Sequence, residues 1–431
     1  MQGGGNVNMM SRRRPDDSRP DARAQILAAA GEVFLREGFA RTSVDQIAAT
    51  AHMSKQSIYE LFPSKMDLFE AAVRNTLDMA DRNLAAVDDV GDIEATLRRF
   101  GLRLFEGFAN PVNFGLFRAN IVAATRFPKL AAELHEHRLA MVRRFADYVE
   151  RCIADGALAP VDPLTTGIRF GGMSVEGARY FLGLSPPSLS VRAEIVGSIV
   201  DLFLNGYRGQ TDPDGGTPMA AADQMADPVL ESGATLRLTP EKLESLIDAT
   251  LGEFLDNGYR GASLDRIATS VRASKATLYR QFGNKEGLFR YAVQREIAAA
   301  SRTKFAVATS GTMDEAVTNL ARQALDWHLA PTNIQMHRLL IQESELVPDL
   351  ARDYHDVRVA RLGSALCELL AAYGQPVPNE TAIRAFYALA TFAVRFLTLH
   401  VLPDNAQRDL LSCESARLFL HGVRPGPEAR T

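Results

Sequence analysis

The amino-acid sequence predicts a helical protein made of two copies of one unit, each opening on a helix-turn-helix. Three observations lead there. At 431 residues the chain is too long for one core, because domains usually run to roughly 100–200 residues. It repeats itself once: residues 26–73 align with 246–293 at a constant offset of 220 without a gap, roughly a third of the positions being identical. Each copy also carries apolar residues at helical spacing, punctuated by cap and turn signals.

Bulk composition narrows the class. With 46% hydrophobic and 23% charged residues, the chain can bury a full core in each unit. Its longest apolar stretch, Ala385 to Val394, is broken by Arg395 and falls short of the roughly 18–20 residues a membrane span needs. Arg12, Arg13 and Arg14 have no apolar run behind them and so do not read as a secretory signal; a cytoplasmic location is expected. Cys152, Cys367 and Cys413 are far apart and odd in number, which fits a reducing compartment and thiols used for packing. A net charge of −4 speaks against a nucleic-acid partner in bulk, so the local distribution decides.

The repeated residues are selective. Phe34, Gly38, Ser43, Asp45, Ile47, Ala48, Ser54, Lys55, Tyr59, Phe62, Lys65, Leu68 and Phe69 recur 220 positions later. Phe127 to Ala131 matches Val347 to Ala351 at the same offset, and Leu202 to Gly206 resembles Leu418 to Gly422 at 216. The predicted organisation is a disordered basic arm (1–20), a first helix-turn-helix domain (21–68), a first helical regulatory domain (69–208), a linker (209–238), a second helix-turn-helix domain (239–288) and a second helical regulatory domain (289–424). The linker assignment rests on Gly209 to Pro228, rich in Gly, Pro, Asp, Ala and Thr without periodicity.

Within the first half, Ile26, Leu27, Ala30, Val33 and Phe34 sit at helical spacing, and Gly38 follows as a left-handed cap. Ser43 with Gln46 forms a capping-box pattern for a short second helix, with Val44, Ile47 and Ala48 facing inward. Ala51-His52-Met53 interrupts, and Ser54 caps a third helix. Two short helices joined by such a turn place the second in the DNA major groove, its N-terminal side chains at the base edges. Ser54, Lys55, Gln56 and Ser57 occupy that end; Tyr59 lies one turn on, and Lys65 follows Ser64, a candidate cap of helix four. In the second half Ser274, Lys275, Thr277, Tyr279 and Lys285 stand at the same spacing. A solvated polar face would explain one copy, but packing alone does not require both Lys55 and Lys275.

These residues carry a resemblance. Thr42-Ser43, Asp45-Gln46-Ile47-Ala48 and then Ser54 through Phe69 resemble the N-terminal domain of TetR-family repressors, and residues 243–290 resemble it as well. The resemblance implies an all-α subunit of about nine helices, an N-terminal three-helix helix-turn-helix domain followed by a helical ligand-binding and dimerisation domain, and hence a tandem fusion of two such subunits. Thr42, Ser43 and Ser263 then stand beside DNA. Departures occur at the turn, where the family's common Gly is replaced by His52 and Arg272, each able to reach a phosphate. Leu61 and Gln281 stand where a His or Tyr is frequent, and Ser263 has Arg266 in place of a box partner.

Family members pair their last two helices across a homodimer, so a fused chain can pair its own halves. Val191, Ile195, Ile199 and Leu202, with Leu410, Leu411, Leu418 and Phe419, are candidates for that interface, or for the core of their own half. The expected function is a DNA-binding transcriptional regulator, a ligand-responsive repressor acting as an intramolecular pseudo-dimer on an imperfect palindrome of double-stranded DNA. A homodimer of fused chains is the second arrangement. Palindrome asymmetry is expected because Gln56, suited to adenine, is matched by Ala276. Residues 40–65 hold three basic and two acidic residues, 260–285 six and one, which answers the bulk charge. For an unidentified small-molecule effector, the candidates are Arg118, Arg169, Trp327, His328, His337 and Arg338, each of which could equally be a satisfied or surface group.

No nucleophile motif, phosphate loop or metal cluster is evident, so no catalytic residue, cofactor or metal is expected. His135 and His137, two apart, point to different sides of a helix. The competing reading is an interaction or adaptor protein with one or both heads decayed, against which the retained Lys55, Tyr59, Lys275 and Tyr279 argue.

Overall fold

A computed structural model describes residues 22–84, 87–108, 110–176, 187–207, 239–392, 395–399 and 401–425. The basic arm (1–20) and the linker (209–238) lie outside them. The described elements are helical, without a strand among them. The first half contains α1 (Ala22–Arg41), α2 (Val44–Thr50), α3 (Lys55–Leu61), α4 (Lys65–Leu84), α5 (Ile93–Phe108), α6 (Pro111–Arg126), α7 (Pro128–Ala154), α8 (Pro163–Glu176) and α9 (Leu189–Asn205). The second contains α10 (Pro240–Gly261), α11 (Leu264–Ser270), α12 (Lys275–Phe282), α13 (Lys285–Ser301), α14 (Met313–Leu329), α15 (Pro331–Gln342), α16 (Pro348–Ala372), α17 (Glu380–Thr391) and α18 (Asn405–His421). The fold is all-α, with nine α-helices among the described residues of each half.

Local chemistry sets the boundaries. α1 and α10 kink at Gly38 (φ 77°) and Gly258 (φ 68°), which lets the chain turn into α2 and α11. The offset of 220 holds through the prolines that open α6 and α15 (Pro111, Pro331) and α7 and α16 (Pro128, Pro348), where a missing N–H costs a helix nothing.

Each head has its own small core, built on Ile26, Phe34, Ile47, Ile58 and Phe69 in the first and on Leu246, Ile267, Leu278 and Leu288 in the second. The largest core belongs to both halves: α5, α7, α8 and α9 share it with α14, α16, α17 and α18. At its centre α8 and α9 pack against α17 and α18. Among the interface candidates, Ile199, Leu202, Leu418 and Phe419 are buried in this shared core, Ile195 borders it, and Leu411 is half-buried against the second half. Val191 and Leu410 are not interface residues: at 41% and 59% exposure they lie on the outward side of the first turns of α9 and the middle of α18.

The C-terminal ends of α9 and α18 cross at glycine. A Cβ on Gly206 (φ 76°) would lie 2.4 Å from the Leu420 carbonyl oxygen, and one on Gly422 (φ 66°) 2.4 Å from that of Leu204. The Val423 amide donates to the Phe203 carbonyl (3.0 Å) and the Arg424 amide to that of Leu204 (3.0 Å), while Tyr207 stacks on Phe419 at 5.0 Å. Ion pairs among the described residues also bridge the halves: Arg169 to Glu414 (2.6 Å), Arg118 to Glu345 (2.9 Å), Arg41 to the same Glu345, and Arg424 to Glu94 (3.9 Å). Between the heads, α1 approaches α10 beside a cleft of about 340 Å³ that Gly38, Arg41, Arg118, Gly258 and Arg338 help line.

Left-handed backbone costs an L-residue roughly 1–2 kcal/mol, and overlap in a packed site typically a further 1–3 kcal/mol. Gly422→Ala is therefore expected to lower stability by about 2–5 kcal/mol in urea unfolding. Gly156→Ala, equally left-handed (φ 71°) but with no neighbour within 4 Å, should lose only the first part. Equal losses would show that the crossing does not constrain the backbone.

Candidate nucleic-acid interface

The two helix-turn-helix elements reach one geometry through partly different chemistry. Ser54 and Ser274 cap α3 and α12, accepting from the amides of Ser57 (3.0 Å) and Thr277 (3.1 Å). The turn before them requires φ near +50°, met by His52 (φ 53°) and Arg272 (φ 52°). The residue after each closes it, Met53 donating to the Ala48 carbonyl (3.0 Å) and Ala273 to that of Ala268 (2.9 Å). Both strained residues are exposed, so two non-glycine residues hold a glycine conformation while presenting basic side chains to solvent.

One face of each recognition helix is anchored and the other open. Ile58 and Leu278 are buried, whereas Lys55, Gln56, Tyr59, Lys275, Ala276 and Tyr279 are exposed. Tyr59 and Tyr279, at 42% and 45% exposure, are large aromatic groups held out from their cores. Lys55 Nζ lies 2.9 Å from Asp45, and Lys275 Nζ 2.9 Å from Asp265. The bond to the carboxylate raises both ammonium pKa values, so each stays charged and is positioned from the preceding helix. Gln56 bonds to Glu60 (3.2 Å), an anchor Ala276 lacks.

Other expected DNA residues turn inward. Thr42 is buried and donates to the Gly38 carbonyl at 2.9 Å, closing the kink of α1. Lys65 places its ammonium over the Phe39 ring (4.6 Å), and Lys285 lies over Tyr259 (5.0 Å) and donates to the Ala262 carbonyl (2.7 Å). Burial lowers both pKa values. These two lysines, both half-buried, lie against the aromatic residue that follows each kink. Ser43 forms the expected capping box with Gln46. Ser263, lacking that partner, still caps α11, but its amide donates to Glu253 (2.8 Å), which also holds Arg266 (2.9 Å). Glu253, missed in the sequence, thus replaces the box from one helix upstream and neutralises one of the basic residues counted there.

The effector candidates separate into three groups. Arg118 and Arg169 are buried in the ion pairs that bridge the halves, Arg118 also donating to the Leu35 (3.0 Å) and Arg36 (2.8 Å) carbonyls. Arg338 is tied to the carbonyls of Leu397 (2.9 Å) and Leu399 (3.0 Å). Trp327, His328 and His337 come together around Arg358, which sequence reasoning missed. Arg358 is fully buried with its guanidinium 3.5 Å over the Trp327 ring, and Nε and Nη2 lack partners among the described residues. A signal existed: His135 and Arg138 recur as His355 and Arg358.

Two measurements check these assignments. If Arg272 holds a phosphate, Arg272→Gly should reduce the slope of log affinity against log salt by about 1. Relief of strain and the entropy of glycine should leave stability within about 1 kcal/mol. An unchanged slope in fluorescence anisotropy would exclude the contact.

The second concerns the histidines. Burial pushes the His328 imidazole down to about 3 and His337 well below its ordinary value, Arg358 adding like charge to both. Both are neutral when folded and take up protons on unfolding below about pH 6.5. Stability is therefore full above that pH and falls as pH drops through it, by roughly 2 kcal/mol per histidine between pH 7.5 and 5. His328→Phe, which installs the residue of the equivalent position 108, should remove about half of this dependence in urea melts; an unchanged dependence would mean that His328 is charged in the fold.

Comparison with known proteins agrees with this geometry. The model for bacterial regulatory proteins of the tetR family matches residues 26–72 and 246–292, and the C-terminal domain of AefR-like transcriptional repressors matches 95–209. The DNA-binding transcriptional repressor TetR of Mycobacteroides abscessus is 29% identical over 42% of this chain and 86% of its own length. The transcriptional regulator RutR of Escherichia coli is 32% identical over 32% and 65%, and the transcriptional activator FasR of Mycolicibacterium smegmatis 28% identical over 42% and 80%. No helix among the described residues is long and apolar enough to cross a membrane. With one such DNA-binding domain at the head of each half, the chain belongs to the TetR family of transcriptional regulators, as a tandem fusion of two TetR-like units.

Proposed function

We propose that this chain is a cytoplasmic, ligand-responsive repressor that binds an imperfect palindrome in double-stranded DNA as an intramolecular pseudo-dimer. The observation that carries the reading is the bundle of α8, α9, α17 and α18, closed by the reciprocal crossing at Gly206 and Gly422 within one polypeptide. A dimer of separate subunits would need this surface for a second chain; here the second half covers it.

The two heads then read two half-sites. The site residues are Ser43, His52, Ser54, Lys55, Gln56, Ser57 and Tyr59 in the first head and Ser263, Arg272, Ser274, Lys275, Thr277 and Tyr279 in the second. Gln56 can pair with adenine, whereas Ala276 offers only an apolar contact. Arg272, Lys275 and Arg280, all exposed, give the second head more salt-dependent affinity, although less than the sequence count suggests, since Arg266 and Lys285 are engaged within the fold. Repression is supported by the match to a repressor's C-terminal domain. An effector would act by favouring an arrangement of the halves in which the heads no longer fit neighbouring grooves.

The test is stoichiometry on DNA from the chain's own promoter region, by light scattering of the complex, alongside Lys55→Ala and Lys275→Ala. One chain per site is expected, with each variant weakening binding and lowering the salt slope by about 1. Two chains per site with only one variant affected would indicate a dimer of fused chains, and absence of binding would leave the adaptor reading.

A further inference from the structure

The first regulatory domain holds a cavity of about 190 Å³ whose walls come from both halves. Phe100, Leu104, Phe117 and Phe145 line it from α5, α6 and α7, Gly171 and Gly172 from α8, and Phe392, Arg395 and Thr398 from the far half. A Cβ on either glycine would meet nothing within 4 Å, so α8 turns a bare face toward open space. For comparison, an apolar cavity of about 150 Å³ accepts benzene.

The cavity is apolar with a cationic end. Arg138 donates to Thr398 Oγ1 (2.5 Å), while its buried Nη2 has no partner among the described residues. Burial and the neighbouring Arg395 push its guanidinium down to about 10. Arg395 is itself half-buried, and among the described residues its side chain has no acid or carbonyl partner. His135 lies beside the pair, its pKa lowered by burial and by both arginines. The third arginine of the wall, Arg169, is already paired with Glu414. Among the described residues no Asp or Glu lines the cavity. Buried charges are ordinarily paired, and these two half-buried guanidiniums meet no acid among the described residues of the wall, which makes this end of the cavity complementary to an anion.

We infer that this cavity binds an amphipathic monoanion, a carboxylate with a ring-sized or short-chain apolar body, whose head group is shared by Arg138 of the first half and Arg395 of the second. The inference rests on the ligand-responsive reading and names its chemistry. The second half is built differently at the equivalent place. Arg358 stands where Arg138 does at the offset of 220, but Trp327 replaces Gly107 and supplies an aromatic face to the guanidinium from within the protein. One anion per chain is therefore expected.

The test is calorimetry on the full chain without DNA, with octanoate and 3-phenylpropionate as probes, each beside its alcohol, and octylamine as the cationic control. At least one acid should bind at one per chain and at least tenfold tighter than its alcohol, with octylamine not binding. Arg395→Gln should abolish the preference for the acid and leave the alcohol unchanged, and Gly171→Leu should remove binding of both by filling the cavity. Both variants are checked by circular-dichroism melts, and the comparison of probes on the unaltered chain does not depend on them. If neither acid outbinds its alcohol, or Arg395→Gln keeps the preference, the inference is overturned. DNA affinity is measured separately: an acid that binds as described without changing it establishes the site and sinks the ligand-responsive reading. Release of DNA by another class of compound, with no preference for acids, does the reverse.

Discussion

The close approach of backbone at Gly206 and Gly422 fixes how the two halves meet. Each glycine ends a helix in a left-handed conformation and lies against the carbonyl of the opposite helix end, so a side chain at either would separate the ends. Cohesion comes from elsewhere. Buried apolar groups such as Leu202, Phe203, Phe386 and Phe419 are each worth roughly 1.5–3 kcal/mol, whereas ion pairs like Arg169 with Glu414 lose in desolvation most of what they gain. The apolar core holds the halves together; the glycines and ion pairs select one register among many that would bury similar area. Everything at a distance from the bundle, including the placement of the heads and the shared walls of the cavity, inherits that register.

The heads show how a repeated unit drifts without changing shape. α2 and α11 both need their first amides satisfied. The first does this within four residues, through Ser43 and Gln46; the second lost the glutamine and uses Glu253 from the preceding helix, in line with Arg266. The same holds for the braces of the kink, where Lys65 on Phe39 becomes Lys285 on Tyr259. Backbone geometry is kept by equivalent interactions, while the groups facing outward, Gln56 against Ala276 and His52 against Arg272, are left to diverge. That pattern is the expected result if the frame is under structural constraint and each face is tuned to its own half-site.

Local signals were legible in the sequence and distant ones were not. Caps, the glycine that ends the straight part of α1 and the buried stripe of the recognition helix follow from residues within four positions of one another, and the turn at His52 and Arg272 from the family resemblance. Spacing places Thr42 and Lys65 beside the recognition helix without revealing which way they point; in the fold Thr42 is buried at the kink of α1 and the Lys65 ammonium lies over Phe39. Arg118 and Arg169 were taken as effector candidates because their acids, Glu345 and Glu414, lie 227 and 245 residues away. The repeat itself held the missing clue. A His and an Arg three positions apart recur in α7 and α16, and an arginine preserved on helices that contribute to the core needs a partner. In the second half that partner is an aromatic ring; in the first, Arg138 reaches Thr398 Oγ1 and its Nη2 has no partner among the described residues.

This difference bears on how such a chain can respond to a ligand. A compound held wholly within one half can move the heads only through a change inside that half for which it has differential affinity, because only differential affinity shifts an equilibrium. An anion held between Arg138 and Arg395 is different, since the two guanidiniums belong to opposite halves and the distance between them changes if the halves shift. Its binding energy is then sensitive to the same coordinate as DNA binding, and linkage requires that DNA alter the affinity for the anion by the factor with which the anion alters that for DNA. In a homodimer the same device would exist twice and act symmetrically. In the fused chain the two copies differ: the first half keeps an open cavity beside Arg138, and in the second Trp327 covers the equivalent Arg358.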